Sequence, residues 1–153
     1  MLGWLFWGAG DGFTRVEEGE NVAKVDWLPE EANQVSFHKS YGFTAYEFNI
    51  SEKGFLDLAR REGWEIKPIG AETVSVERYL SHRLMTALKG KSVGDSDQEQ
   101  EEHQKKYEEW KRDSRHIIAK GYYYKWLRGQ TGGGIWVGYD SENGRAYYHT
   151  QPR

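Results

Sequence analysis

The stretch QVSFHKSYGFTAYEFNISEKGFLDLARREG, residues 34–63, decides the fold. Gln34 to Lys39 alternates, with Val35 and Phe37 near one side. Tyr41-Gly42 supplies a turn, and Phe43 to Ile50 alternates again. Side chains of a strand repeat every two residues, so Thr44, Tyr46, Phe48 and Ile50 share a face. That set is the more apolar and is expected to face the core. Phe43, Ala45, Glu47 and Asn49 are then expected to face outward. Two alternating runs around a turn predict a β-hairpin. The period changes at Ser51. Its hydroxyl suits an N-cap, Glu52 suits the first turn, and Arg60 and Arg61 suit the last. Phe55, Leu58, Ala59 and Glu62 recur at helical spacing, and Gly63 fits a left-handed C′ position. The prediction is a short amphipathic helix over 51–63.

Upstream, Phe13 to Glu18 and Val22 to Leu28 read as two short strands around a turn at Gly19. Pro29 cannot donate to a ladder and begins a connection. The N-terminal MLGWLFWGAG is apolar, with no Lys or Arg before Arg15, so it lacks the basic flank of a signal peptide. It is also shorter than the roughly 20 apolar residues a membrane span needs. Residues 1–9 read as a first strand or an arm on the core. The alternatives are an interfacial anchor of Trp4, Phe6 and Trp7, or a processed precursor.

Downstream, Trp64 to Ile69 is a strand candidate stopped by Pro68. Residues 72–80 alternate, and β-branched Thr73, Val74 and Val76 favour a strand, followed by a helix over 81–89. One continuous helix over 72–89 is the alternative. Gly90 to Gln100 is polar and aperiodic and reads as a mobile loop. A charged helix is expected from about Glu99 to Lys120, with Tyr107, Trp110, Ser114, Ile117 and Ile118 as its stripe. The pairs Glu101–Lys105, Glu102–Lys106 and Glu108–Arg112 support it. Tyr122–Arg128, Ile135–Tyr139 and Arg145–Thr150 read as strands, the last two joined by the Asp140–Gly144 loop. The fold class is therefore α+β. It comprises an antiparallel or mixed sheet, two to three helices packed mainly on one face, and a C-terminal three-stranded meander. The 153 residues are read as one domain, 1–153, with 90–100 as a loop within it.

Composition excludes several chemistries. There is no Cys, which removes thiol nucleophiles, disulfides, zinc ribbons and iron–sulfur clusters. The five His are scattered, none in a His-Glu-x-x-His arrangement. His103 with Glu99 is the one helical pair, and such pairs arise by chance on a charged helix. No metal site and no cofactor are expected. No Gly-x-Ser-x-Gly elbow occurs. Gly8–Gly12 and Gly132–Gly134 lack the spacing and the following helix that a phosphate cradle needs.

Net charge is −3, with 8 acidic and 3 basic side chains in residues 1–50. Residues 119–153 carry 2 acidic and 5 basic side chains, a weak footprint for nucleic acid. Aromatic residues make up 15% of the chain, which argues against overall disorder. They are densest between Tyr122 and Tyr148. Trp136-Val137-Gly138-Tyr139-Asp140 through Gly144-Arg145-Ala146-Tyr147-Tyr148 resembles the first hairpin of a WW domain. The third strand and second Trp that such domains use for proline-rich ligands do not follow. The segment is read as an aromatic hairpin, and no function is carried over.

The leading expectation is a soluble, non-enzymatic binding or interaction module. Its ligand would be a protein, peptide or polar small molecule, taken at Tyr122, Tyr124, Trp126, Arg128, Trp136 and Tyr148. One alternative is a small hydrolytic enzyme in which Glu47 works with a nearby His. Another is a single-stranded nucleic-acid binder that stacks bases on Tyr122, Tyr124 and Trp126 beside Arg128. A homodimer is a further option. The missing signal peptide and missing Cys point to the cytoplasm.

Overall fold

A computed structural model describes residues 5–8, 15–40, 42–81, 97–129 and 132–152. Among the described residues, ten strands and two helices follow in order: β1 (Leu5–Gly8), β2 (Arg15–Val22), β3 (Asn33–Ser40), β4 (Phe43–Asn49), α1 (Glu52–Glu62), β5 (Lys67–Pro68), β6 (Val74–Glu77), α2 (Asp97–Asp113), β7 (Arg115–Ile118), β8 (Gly121–Leu127), β9 (Gly134–Asp140) and β10 (Arg145–Gln151). Eight strands form one sheet in the order β1-β2-β3-β4-β10-β9-β8-β5. Each pair of neighbours is antiparallel. An N-terminal meander, β1 to β4, thus meets the C-terminal meander, β8 to β10, along β4 and β10. The remaining strands, β6 and β7, pair as a separate ribbon.

The hairpin of residues 34–50 forms as its alternation requires, with Phe37 opposite Tyr46. Helix α1 follows it. The Gly54 amide donates to Ser51 Oγ at 3.0 Å, and Gly63 closes the helix at φ 76°. Phe55, Leu58 and Ala59 are buried against the sheet with Phe48, Val137, Tyr139 and Ala146. Aromatic rings interlock on this side. Phe55 stacks on Tyr139 at 4.7 Å, Trp64 on Tyr148 at 5.6 Å and Phe37 on Tyr46 at 5.2 Å. The Tyr139 hydroxyl donates to the Ile50 carbonyl at 2.9 Å, so even its polar tip is satisfied.

The opposite face is covered by the ribbon. Val76 and Ile118 pack there with Tyr147. Gly138 of β9 allows the approach, because a Cβ on it would lie 2.7 Å from Ile118 Cδ1 and 2.8 Å from Val76 Cγ1. Both faces of the sheet are therefore covered, one by a helix and one by two strands.

Several expectations need correction. Residues 23–32 form no strand. Turns run from Val25 to Leu28 and from Pro29 to Ala32, and Leu28 and Ala32 are buried. Gly19 is not a turn but an interior residue of β2, where the Phe37 ring leaves no room for a side chain (Cβ to Cε1, 2.5 Å). The bend is a register shift between Gly19 and Val22, with Asn21 at φ 50°. Strand β5 is cut to two residues at Pro68. The second helix ends at Asp113 rather than Lys120. Beyond it, β-branched Ile117 and Ile118 pair with Ser75 and Val74 in the ribbon.

Packing of the helices on one face is also corrected, because every described side chain of α2 is exposed, Tyr107 included. Residues 97–100, expected in the loop of 90–100, are helical. Leu5–Gly8 forms an edge strand, and Ser81, the first residue of the helix expected over 81–89, has helical backbone; Trp4, residues 82–89 of that helix and loop residues 90–96 lie outside the described residues. Among the described residues, no helix is long and apolar enough to cross a membrane.

Candidate functional site

Glu47 is the first surprise of the ribbon side. Alternation predicts an outward, solvated carboxylate, yet the residue is 1% exposed. The β6–β7 ribbon covers its face, and the cost of burying a charge demands partners. They come from two elements. Arg78, just after β6, donates from Nε to Oε1 at 3.2 Å and from Nη2 to Oε2 at 3.1 Å. Arg145 of β10 donates from Nε and Nη2 to Oε2 at 3.1 and 3.0 Å. The Tyr79 amide adds a bond to Oε1 at 3.4 Å. No histidine is among these partners. Bidentate arginine bonds of this kind fix geometry, and here they tie the end of the ribbon to the middle of the sheet. Tyr147 lies beside Glu47 across the β10–β4 ladder. Burial, and then the Glu47 charge, push its phenol up to about 12.

A second ribbon-to-sheet tie joins His116 of β7 to Asp140, Nε2 to Oδ2 at 2.7 Å. The His116 ring stacks on Tyr147 at 4.9 Å. Burial alone would raise the Asp140 pKa, but bonds from His116, Asn143 and the Glu142 and Asn143 amides hold it below its ordinary value. Asp140 thereby closes the β9–β10 hairpin loop as well.

Beyond these ties the ribbon stands off the sheet and leaves a groove of about 510 Å³. One wall is Thr73 to Glu77 along β6, with Arg115 from β7. The floor carries Tyr123, Lys125, Trp136, His149 and Gln151. The floor's chemistry follows from register. Lys125 lies opposite Trp136, Trp136 opposite His149, His149 opposite Ala45, Ala45 opposite His38, and His38 opposite Glu18. One cross-strand row thus runs over five neighbouring pairs. His38 and Glu18 are engaged at 2.7 Å.

His149 is the unusual member. Its ring stacks on Trp136 at 4.8 Å and touches Phe43 at 4.9 Å. Its side chain is 7% exposed, and Nε2 has no hydrogen-bond partner among the described residues. The nearest acid oxygen, Oε2 of Glu77, is 3.5 Å away without hydrogen-bond geometry. Burial first, and then the Arg115 charge, lower its pKa to about 4, so the imidazole is neutral at pH 7. Arg115 is held by Ser75 and Glu77. Its Nε donates to Ser75 Oγ at 2.7 Å, Nη2 to the Ser75 carbonyl at 3.3 Å and Nη1 to Glu77 Oε1 at 3.3 Å.

The expected ligand residues do not share one surface. Tyr122, Tyr124 and Tyr148 are on the α1 side, half-buried against the core. Trp126 is on the same side but 44% exposed, with the Arg128 guanidinium 5.8 Å from its ring centroid. Trp136 alone is on the ribbon side, in the groove, although Tyr124 also borders the groove from its strand. Of the groove's other residues, Lys125 reads in the sequence only as a cation beside the aromatic strand, and Tyr123, His149, Glu77 and Arg115 were not singled out by sequence. A signal for three of them existed: period two puts Tyr123 and Lys125 opposite Tyr122, Tyr124 and Trp126, and pairing carries that face on to Trp136 and His149. Among the described residues, no three His, Asp or Glu side chains are grouped to hold a metal ion. No protein-family model matches the chain, and comparisons with curated proteins and with solved structures find no match.

Proposed function

We propose that this protein is a non-enzymatic binding module that holds a small polar molecule in the groove between β6 and the β8–β10 face. The observation that carries the reading is His149. A buried polar atom left without a partner costs about 1–3 kcal/mol. Here the unpartnered Nε2 belongs to a residue lining a groove, beside Trp136 and under the charge of Arg115. Nε2 is itself closed to solvent, so a ligand that turns the ring or the Glu77 side chain aside and bonds Nε2 recovers that cost. The volume falls within the range of roughly 300–1,000 Å³ usual for small-molecule sites, and the mix of an aromatic floor with a few polar groups is also usual. The hydrolytic alternative draws no support from Glu47, whose oxygens are taken up by Arg78, Arg145 and the Tyr79 amide.

The test is a fragment screen by saturation-transfer NMR, repeated on Trp136→Ala and Trp126→Ala. Binding in the groove predicts that hits vanish in Trp136→Ala and persist in Trp126→Ala. Hits that vanish only in Trp126→Ala would move the site to the α1 side. That side is where base stacking beside Arg128 would occur, and there binding would weaken steeply with salt.

A further inference from the structure

We infer that the groove is built for a zwitterion, an α-amino acid with an apolar or aromatic side chain, held by Glu77 and His149 at its ammonium and by Arg115 and Lys125 at its carboxylate. This rests on the reading of the groove as the binding site. The wall presents an acid and a base side by side. Glu77 Oε1 accepts from Arg115 Nη1 at 3.3 Å, while Oε2 accepts no hydrogen bond from any described residue. Oε2 and the unpartnered Nε2 of His149 are 3.5 Å apart. A carboxylate oxygen and a neutral imidazole nitrogen at that spacing are satisfied together by one group with several N–H donors. An ammonium is such a group, and the adjacent carboxylate favours its charge.

The complementary half is next to it. Arg115 has five N–H donors, of which the bonds to Ser75 and Glu77 engage three. Lys125, exposed on the floor, adds a mobile ammonium. An anion on Arg115 lies next to the acceptor pair, because Arg115 Nη1 and Glu77 Oε1 are 3.3 Å apart. A free α-amino acid carries its ammonium and carboxylate on one carbon, so it presents two adjacent charges in the opposite order. A ligand with one charge leaves the other half of the wall unpaired, and unpaired polar groups are what make such sites selective. Trp136 and Tyr123, with Val74 and Val76, give the side chain an apolar and aromatic surface.

The test is isothermal titration calorimetry of the full chain with three probes: L-phenylalanine, 3-phenylpropanoate, which lacks the ammonium, and 2-phenylethylamine, which lacks the carboxylate. The expected result is binding of L-phenylalanine at least tenfold tighter than either half. Glu77→Gln should abolish its advantage over 3-phenylpropanoate. Lys125→Met, at an exposed position that does not threaten the fold, should weaken L-phenylalanine and 3-phenylpropanoate alike and leave 2-phenylethylamine unchanged. Equal binding of L-phenylalanine and either half overturns the inference. If that binding is lost in Trp136→Ala, the groove survives as the site and only the zwitterion fails. If no probe binds at millimolar concentration, the zwitterion also fails, and the fragment screen decides the groove separately.

Discussion

The two faces of this sheet are made by the same strands and solve burial in opposite ways. The α1 face is a layer of interlocked rings and aliphatic side chains, with Phe48, Phe55 and Leu58 almost fully buried. The ribbon face buries Glu47, His38, Asp140 and His149 alongside Val76, Ile118 and Tyr147. A helix presents a broad apolar stripe and closes its side of the sheet. A two-stranded ribbon is narrower, reaches the sheet at Gly138, and is pinned by the Arg78–Glu47 and His116–Asp140 ties. What it does not cover becomes the groove. The difference teaches that one side of the sheet is closed by apolar packing, while the other is held by a few polar ties with an open groove beside them.

The largest expected effects test whether both faces hold the fold. Phe55→Ala removes a buried ring from the helix side and should cost about 3–5 kcal/mol in urea unfolding. Glu47→Gln removes one partner of a buried ion-pair cluster and should cost about 3 kcal/mol, because Arg78 and Arg145 keep their charges without a carboxylate. A cost below about 1 kcal/mol for Glu47→Gln would show that the ties are incidental.

The pH dependence sharpens the contrast further. Glu77 and Arg115 face His149 from the ribbon, and Lys125 and His38 lie in its row. The His149 pKa is lowered to about 4 in the folded chain against about 6.5 when unfolded. The unfolded state therefore binds the extra proton first. Stability from this group is complete above about pH 6.5 and falls as pH drops towards 4, by about 3 kcal/mol in all. Asp140, with a lowered pKa, loses its contribution at still lower pH. His149→Phe should remove the loss between pH 6.5 and 4. Parallel curves for the two proteins would contradict a buried, neutral imidazole.

Smaller effects follow. Gly138→Ala should cost about 1–3 kcal/mol by pushing Ile118 and Val76 off the sheet. Trp126→Ala, at an exposed position on the α1 side, should stay within about 0.5 kcal/mol. If Trp126→Ala proved more costly than Gly138→Ala, the assignment of exposed and packed positions would be wrong.

The sequence made one face legible and hid the other. Ser51, Gly63 and the 3.6-residue spacing of Phe55, Leu58 and Ala59 announce α1, and Thr44 to Ile50 announce the side it packs on. The C-terminal strands are equally plain from Tyr122 onward. The ribbon was hidden because β7 has four residues and directly follows a strongly charged helix. Ile117 and Ile118 fall in phase with the helical stripe of Tyr107, so the pattern runs on past the true end at Asp113. Without β7 there is no ribbon, without the ribbon Glu47 reads as solvated, and without a second layer there is no groove. The aromatic excess of residues 122–148 was visible, but cross-strand register is needed to separate Trp136 from Trp126.

The most direct test is amide mapping: a ¹H–¹⁵N correlation spectrum recorded through a titration with L-phenylalanine. A ribbon-side groove predicts the largest shifts at Ser75, Glu77, Lys125, Trp136 and His149, with little change at Phe55 or Trp126. Shifts centred on Trp126, Leu127 and the α1 side would contradict it.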